Sequence, residues 1–82
     1  MKEDLLFLIR SMVMENRMSA REIAIALKKP YSTLMRECNP YDKGAKLGVE
    51  TFFEVTKLTG DIEALRWIAH DLGYDLVQSD DI

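Results

Sequence analysis

With 82 residues, of which 48% are hydrophobic and 30% charged, the chain is long enough for one folded domain, too short for two, and unlike a disordered segment. Its only cysteine, Cys38, excludes an intramolecular disulfide and a cysteine-based zinc site, while the N-terminal MKEDLLFLIR, acidic by its third residue and interrupted at Arg10, is neither a signal peptide nor a membrane span. The net charge of −3 is unevenly spread: Arg17 to Lys46 holds seven basic and three acidic residues, a balance of +4, and the remainder four basic and eleven acidic, a balance of −7.

That division is what a polyanion-binding face on an acidic protein shows, the alternative being solvated charges clustered by chance. Five methionines and a free thiol suit a reducing cytoplasm, and a cytoplasmic location is expected. Few prolines and glycines, with apolar positions three or four apart, predict an all-α fold, a compact bundle of about five short helices. Residues 1–75 would form the domain and residues 76–82 a short acidic tail.

The first helix is expected over residues 2–16, with Leu5, Leu6, Leu8, Ile9, Met12 and Val13 as its core stripe. Glu3 and Asp4 complement the helix dipole in the first turn. Phe7 and Met14 lie off that stripe and suit either a partner subunit or a second packing surface within the domain. Ser19 opens the second helix, with Glu22 three residues on completing a capping box. Ile23, Ala24, Ala26 and Leu27 supply its buried face, and Ala24 is small enough for a close helix crossing.

Lys28-Lys29-Pro30 breaks that helix, because a residue before proline leaves the α region and proline suits a helix start. The third helix would run from Tyr31 to Cys38, turning Leu34 and either Met35 or Cys38 inward and leaving Tyr31, Ser32, Thr33 and Arg36 outside. The loop NPYDKGAK precedes a fourth helix, Val49 to Thr59, with Val49, Phe52, Phe53 and Thr56 on one side and Gly60 closing it in the left-handed conformation. Asp61 would cap a fifth helix from Ile62 to Leu72 carrying the stripe Ile62, Leu65, Ile68, Ala69 and Leu72, ended by Gly73.

Ser19 to Asn39 therefore reads as a helix-turn-helix, in which the second helix enters the DNA major groove and the first crosses the backbone. Lys28 and Lys29 would lie near phosphates, with Arg21, Lys43 and Lys46 as further basic contacts. Tyr31, Ser32 and Arg36 would face base edges, with Thr33 nearby. The Arg36 fork matches guanine O6 and N7. Such turns usually carry glycine at the place of Lys28, where a side chain costs roughly 1–2 kcal/mol, so a distorted turn or one of different length is expected.

His70 has no second histidine or cysteine pair beside it, which favours a surface residue over a metal ligand. Cys38 is expected to pack at a helix end, not to sense redox state. Trp67 suits a lid on the core or a subunit interface equally well. With no phosphate-binding loop, nucleophile triad or paired carboxylates, neither an enzyme nor a cofactor or metal site is expected.

The stretches STLMRECNP, KLGVETFFEVTKLTGD and DLGY, lying between Tyr31 and Tyr74, resemble the phage regulatory protein CII family of temperate-phage transcription regulators. The resemblance implies a λ-repressor-like helical fold, sequence-specific binding of double-stranded DNA near a promoter, and a homo-oligomer, dimer or tetramer, with RNA polymerase as a candidate partner. The competing expectation is a protein-interaction module, an antirepressor or adaptor, that keeps the bundle without binding DNA. The acidic balance outside the central segment favours that alternative.

Overall fold

The computed structural model describes residues 2–79, with side chains from Asp4 onward; the end of the expected acidic tail, residues 80–82, lies outside them. Five helices follow in order: α1 (Lys2–Met14), α2 (Ala20–Ala26), α3 (Tyr31–Glu37), α4 (Val49–Thr59) and α5 (Glu63–Asp71). The fold is all-α, without a strand among the described residues. Helix α1 is the central support and packs against α2, α4 and α5, while α2 packs against α3. One apolar cluster joins all five: Ile9, Met12 and Val13 of α1, Ile23 and Ala24 of α2, Leu34 with the adjacent Cys38, Val55 of α4 and Ala64 of α5.

Helix α1 stops two residues earlier than its pattern suggests because Asn16 intervenes. Its amide nitrogen donates to the carbonyls of Met12 (2.7 Å) and Val13 (3.3 Å), and its side-chain oxygen accepts from the Met18 amide at 2.8 Å. These bonds satisfy carbonyls that a helix end leaves open. Phe7 is 42% exposed and meets the Tyr41 ring edge-on at a centroid distance of 5.7 Å. Met14 is exposed.

The capping box at the start of α2 is present in both directions. The Glu22 amide donates to Ser19 Oγ and the Ser19 amide to Glu22 Oε1, each at 3.1 Å. These contacts, the Ser19 amide foremost, hold the Glu22 carboxyl below its ordinary range. Ile23 and Ala24 are buried and Leu27 half-buried, but Ala26 is exposed, because a face built on positions 23, 24 and 27 points residue 26 away.

The turn after α2 is regular. The Lys29 amide donates to the Ala24 carbonyl and the Lys28 amide to the Ile25 carbonyl, both at 3.0 Å. This is a Schellman motif, with Lys28 in the left-handed position at φ 56°. The end of α5 repeats it: Tyr74 donates to Ala69 and Gly73 to His70, with Gly73 at φ 89°. One motif is thus closed once by glycine and once by lysine. The expected distortion is absent, and the left-handed lysine carries the strain instead. Lys28→Gly is expected to raise stability by about 1 kcal/mol, which moves the thermal midpoint of a domain this size up by about 4–8 °C. An unchanged or lower midpoint in a Trp67 fluorescence melt would show that the lysine is unstrained.

Helices α4 and α5 correct the expected stripes. In α4 the buried residue is Val55, flanked by half-buried Thr51, Phe52, Thr56 and Thr59, whereas Val49 and Phe53 are 82% and 58% exposed. Residues 51, 52, 55, 56 and 59 follow the helical repeat, so threonines fill the inner face. Gly60 closes α4 at φ 71° with its amide on the Thr56 carbonyl. Helix α5 starts at Glu63, one residue later than expected, and Asp61 Oδ1 accepts from the Glu63 amide at 3.0 Å. Its buried residue is Ala64, with Trp67, Ile68 and Ala69 half-buried, while Ile62, Leu65 and Leu72 are exposed.

Candidate nucleic-acid interface

Helices α2 and α3, joined across Leu27 to Pro30, carry most of the basic residues singled out in the sequence. Proline has no amide hydrogen to lose at a helix start, and Pro30 is the N-cap of α3, extended at φ −58° and ψ 139°. Leu34 and Cys38 anchor α3 in the core, at 0% and 1% exposure. Ser32 and Arg36, four residues apart, are exposed, and Thr33 is half-buried.

Tyr31 is less free than expected: it is half-buried against the core, with the Arg21 guanidinium 4.2 Å from its ring centroid. This cation–π contact ties the starts of α2 and α3 together and leaves Arg21 at the surface. Lys28 is exposed. Lys29 is engaged elsewhere, its Nζ 2.7 Å from Glu37 Oε1, with both side chains largely buried at 23% and 17% exposure. That pair spans the turn and the last residue of α3.

Arg36 also has a partner. Its Nε donates to Asp42 Oδ2 at 3.0 Å. Asp42 Oδ1 accepts from the Gly44 amide at 3.0 Å and the Ala45 amide at 3.2 Å. The Arg36 contact first, then the Gly44 amide, holds the Asp42 carboxyl below its ordinary range. Sequence reasoning missed Asp42 and Glu37 as partners. The Asp-Lys-Gly order in the loop was a signal for a side-chain-capped turn, whereas the Lys29–Glu37 pairing has no local signature.

Lys43 and Lys46 are exposed on the loop that follows α3. They also rim a groove of about 600 Å³ floored by apolar side chains, among them Leu5, Leu6 and Ile9 of α1, Leu47, and Phe52 of α4. The other two charged groups at this groove, Glu37 and Asp42, are already paired with Lys29 and Arg36.

Burial, with a smaller contribution from Glu37, pushes the Cys38 thiol up to about 11, so it is protonated and unreactive at neutral pH. His70 is exposed, and no group of His, Cys, Asp and Glu among the described residues could hold a metal ion. No helix among the described residues is long and apolar enough to cross a membrane.

Neither the curated proteins nor the solved structures contain a match to this chain. Among protein families the result is different: the model for phage regulatory protein CII (CP76) matches residues 6–81, which takes in all of α2 to α5, most of α1 and the loop that holds Asp42. With nearly the whole chain covered, the protein belongs to the phage regulatory protein CII family.

Proposed function

We propose that the protein is a sequence-specific DNA-binding transcription regulator whose α3 reads the major groove. The observation that carries this reading is the division of α3. Leu34 and Cys38 are sunk in the core, while Ser32 and Arg36, one helical turn apart, are exposed, as are Arg21 on the Tyr31 ring and Lys28 in the turn before α3. Arg36 is assigned to guanine, Ser32 and Tyr31 to neighbouring base edges, and Arg21, Lys28, Thr33, Lys43 and Lys46 to phosphates. Lys29 acts chiefly within the protein, as the partner of Glu37.

A single domain with about five phosphate contacts binds weakly and with strong salt dependence, so affinity comes from self-association. Phe53, Leu58, Ile62, Leu65 and Leu72 are exposed and apolar, and the contacts of a dimer or tetramer are assigned to them. Two copies would then read half-sites about one DNA turn apart, with RNA polymerase a further partner where the operator adjoins a promoter.

Selection of bound sequences from a random duplex pool tests the reading. A recurring site with salt-sensitive affinity is expected. Arg36→Ala should reduce preference for one guanine about tenfold. Lys28→Ala should weaken all sequences alike and lower the salt slope by about one. The absence of salt-sensitive binding by an oligomeric sample would sink the reading. In that case the apolar groove with Lys43 and Lys46 at its rim supports the second reading, a protein-binding module for an acidic, partly apolar segment.

A further inference from the structure

We propose that Asp42 is a positioning residue for Arg36, holding its guanidinium edge-out before DNA arrives and so setting the strength of guanine selection. The proposal rests on the reading of α3 as the base-reading helix. Asp42 acts through Arg36 and touches no base itself.

The geometry is a short relay from backbone to side chain. The amides of Gly44 and Ala45 fix Asp42 Oδ1 at 3.0 and 3.2 Å, which leaves Oδ2 to receive Arg36 Nε at 3.0 Å. The guanidinium lies over Gly44, with Nη2 3.8 Å from the place a Cβ would occupy there. A guanidinium has five N–H donors, and this contact uses only the one on Nε. The four on the two Nη atoms remain for a bidentate contact with guanine O6 and N7.

An unrestrained arginine loses rotamer freedom on binding, which lowers its affinity. A side chain held in place beforehand loses less of that freedom, and it loses less for the base that matches the held orientation. The carboxylate also places a negative charge beside the DNA, which weakens binding to every sequence. Asp42 thus exchanges general affinity for discrimination.

Asp42→Asn separates the two contacts. The asparagine oxygen still accepts from the Gly44 and Ala45 amides, so the loop keeps its turn, while the NH2 group faces Arg36 Nε with a donor instead of an acceptor. The experiment uses the full-length protein and the duplex selected by the wild type, with and without its preferred guanine. In Asp42→Asn, affinity for the guanine-lacking duplex should rise about two- to threefold through removal of one negative charge. Preference for the guanine duplex should fall about three- to tenfold. In the free protein, the Arg36 Nε–H resonance should move upfield and exchange faster with water.

Opposite changes in general affinity and preference support the positioning role, because a merely structural residue would lower both. Unchanged preference in Asp42→Asn, with preference abolished in Arg36→Ala, overturns the proposal and leaves the reading of α3 standing. Equal loss on both duplexes with a lower melting midpoint also overturns it, by showing that Asp42 only holds the loop. If Arg36→Ala leaves preference untouched, the reading of α3 falls and the proposal falls with it.

Discussion

Leu34→Ala is expected to lower the free energy of unfolding by about 2–5 kcal/mol. Leu34 is 0% exposed and, with Cys38, anchors α3 in the common cluster. A chain of 82 residues has a total stability of only about 4–12 kcal/mol, so this one change removes a large share of it. The thermal midpoint should fall by roughly 10–30 °C, and part of the population should be unfolded at 37 °C. Urea titration followed by Trp67 fluorescence measures the loss directly. A change below about 1 kcal/mol would mean that α3 is not held by this side chain, and the outward placement of Ser32 and Arg36 would lose its structural basis.

The second large effect is a loss of stability in alkali that depends on Cys38. Its thiol ordinarily titrates near 9.0 and burial pushes it up to about 11. The folded state therefore keeps a proton that the unfolded state gives up. The resulting stability is fully present below pH 9 and declines as the pH rises towards 11. At about 1.4 kcal/mol per unit the contribution is about 2–3 kcal/mol. Melting midpoints of the wild type and Cys38→Ala should be compared from pH 7.5 upward. All other residues are the same in both proteins, so the difference between the two curves isolates the thiol. The alanine variant should start lower, through lost packing, and fall less steeply. Parallel curves would show that the thiol titrates normally and that water reaches it in the folded protein.

The helix order was legible because punctuation and periodicity agreed. Ser19 with Glu22, Pro30, Gly60 and Gly73 each marks a boundary by a mechanism that acts within a few residues, and each does so in the structure. Even the left-handed residue could be located at Lys28, the place where helix-turn-helix turns usually carry glycine. The family could also be recognised from short stretches after the turn, and the match to residues 6–81 extends it over almost the entire chain.

The faces of α4 and α5 were legible only in part, because hydrophobicity was taken for burial. In α4 the large apolar residues Val49 and Phe53 point outward, and the inner face is filled by Phe52 and Val55 with threonines. The Thr56 and Thr59 hydroxyls donate to the carbonyls one turn back, Phe52 and Val55, each at 2.9 Å, so they sit half-buried with their hydrogen bonds met. In α5 the small Ala64 marks the close approach, Ile68 and Ala69 are half-buried, and Ile62, Leu65 and Leu72 of the expected stripe are exposed. A helix with apolar residues on two sides cannot be oriented from its own sequence. Nor could the partners of the basic residues be foreseen, since Glu37 reaches Lys29 only along the folded α3, and Asp42 reaches Arg36 only once the loop after α3 has folded back.

The central place of α1 has a consequence for how the chain can be divided. Helices α2 and α3 have seven residues each, well below the roughly 12–15 at which a helix in water stands alone. Their order is imposed from outside, by Ile9, Met12 and Val13 on one side of Ile23, Ala24 and Leu34. The segment from Ser19 to Asn39 is therefore not a portable module. Cut out or grafted onto another scaffold, it would keep its charges and lose the geometry that arranges them. The smallest unit able to present α3 includes α1 together with the two later helices that hold it in place.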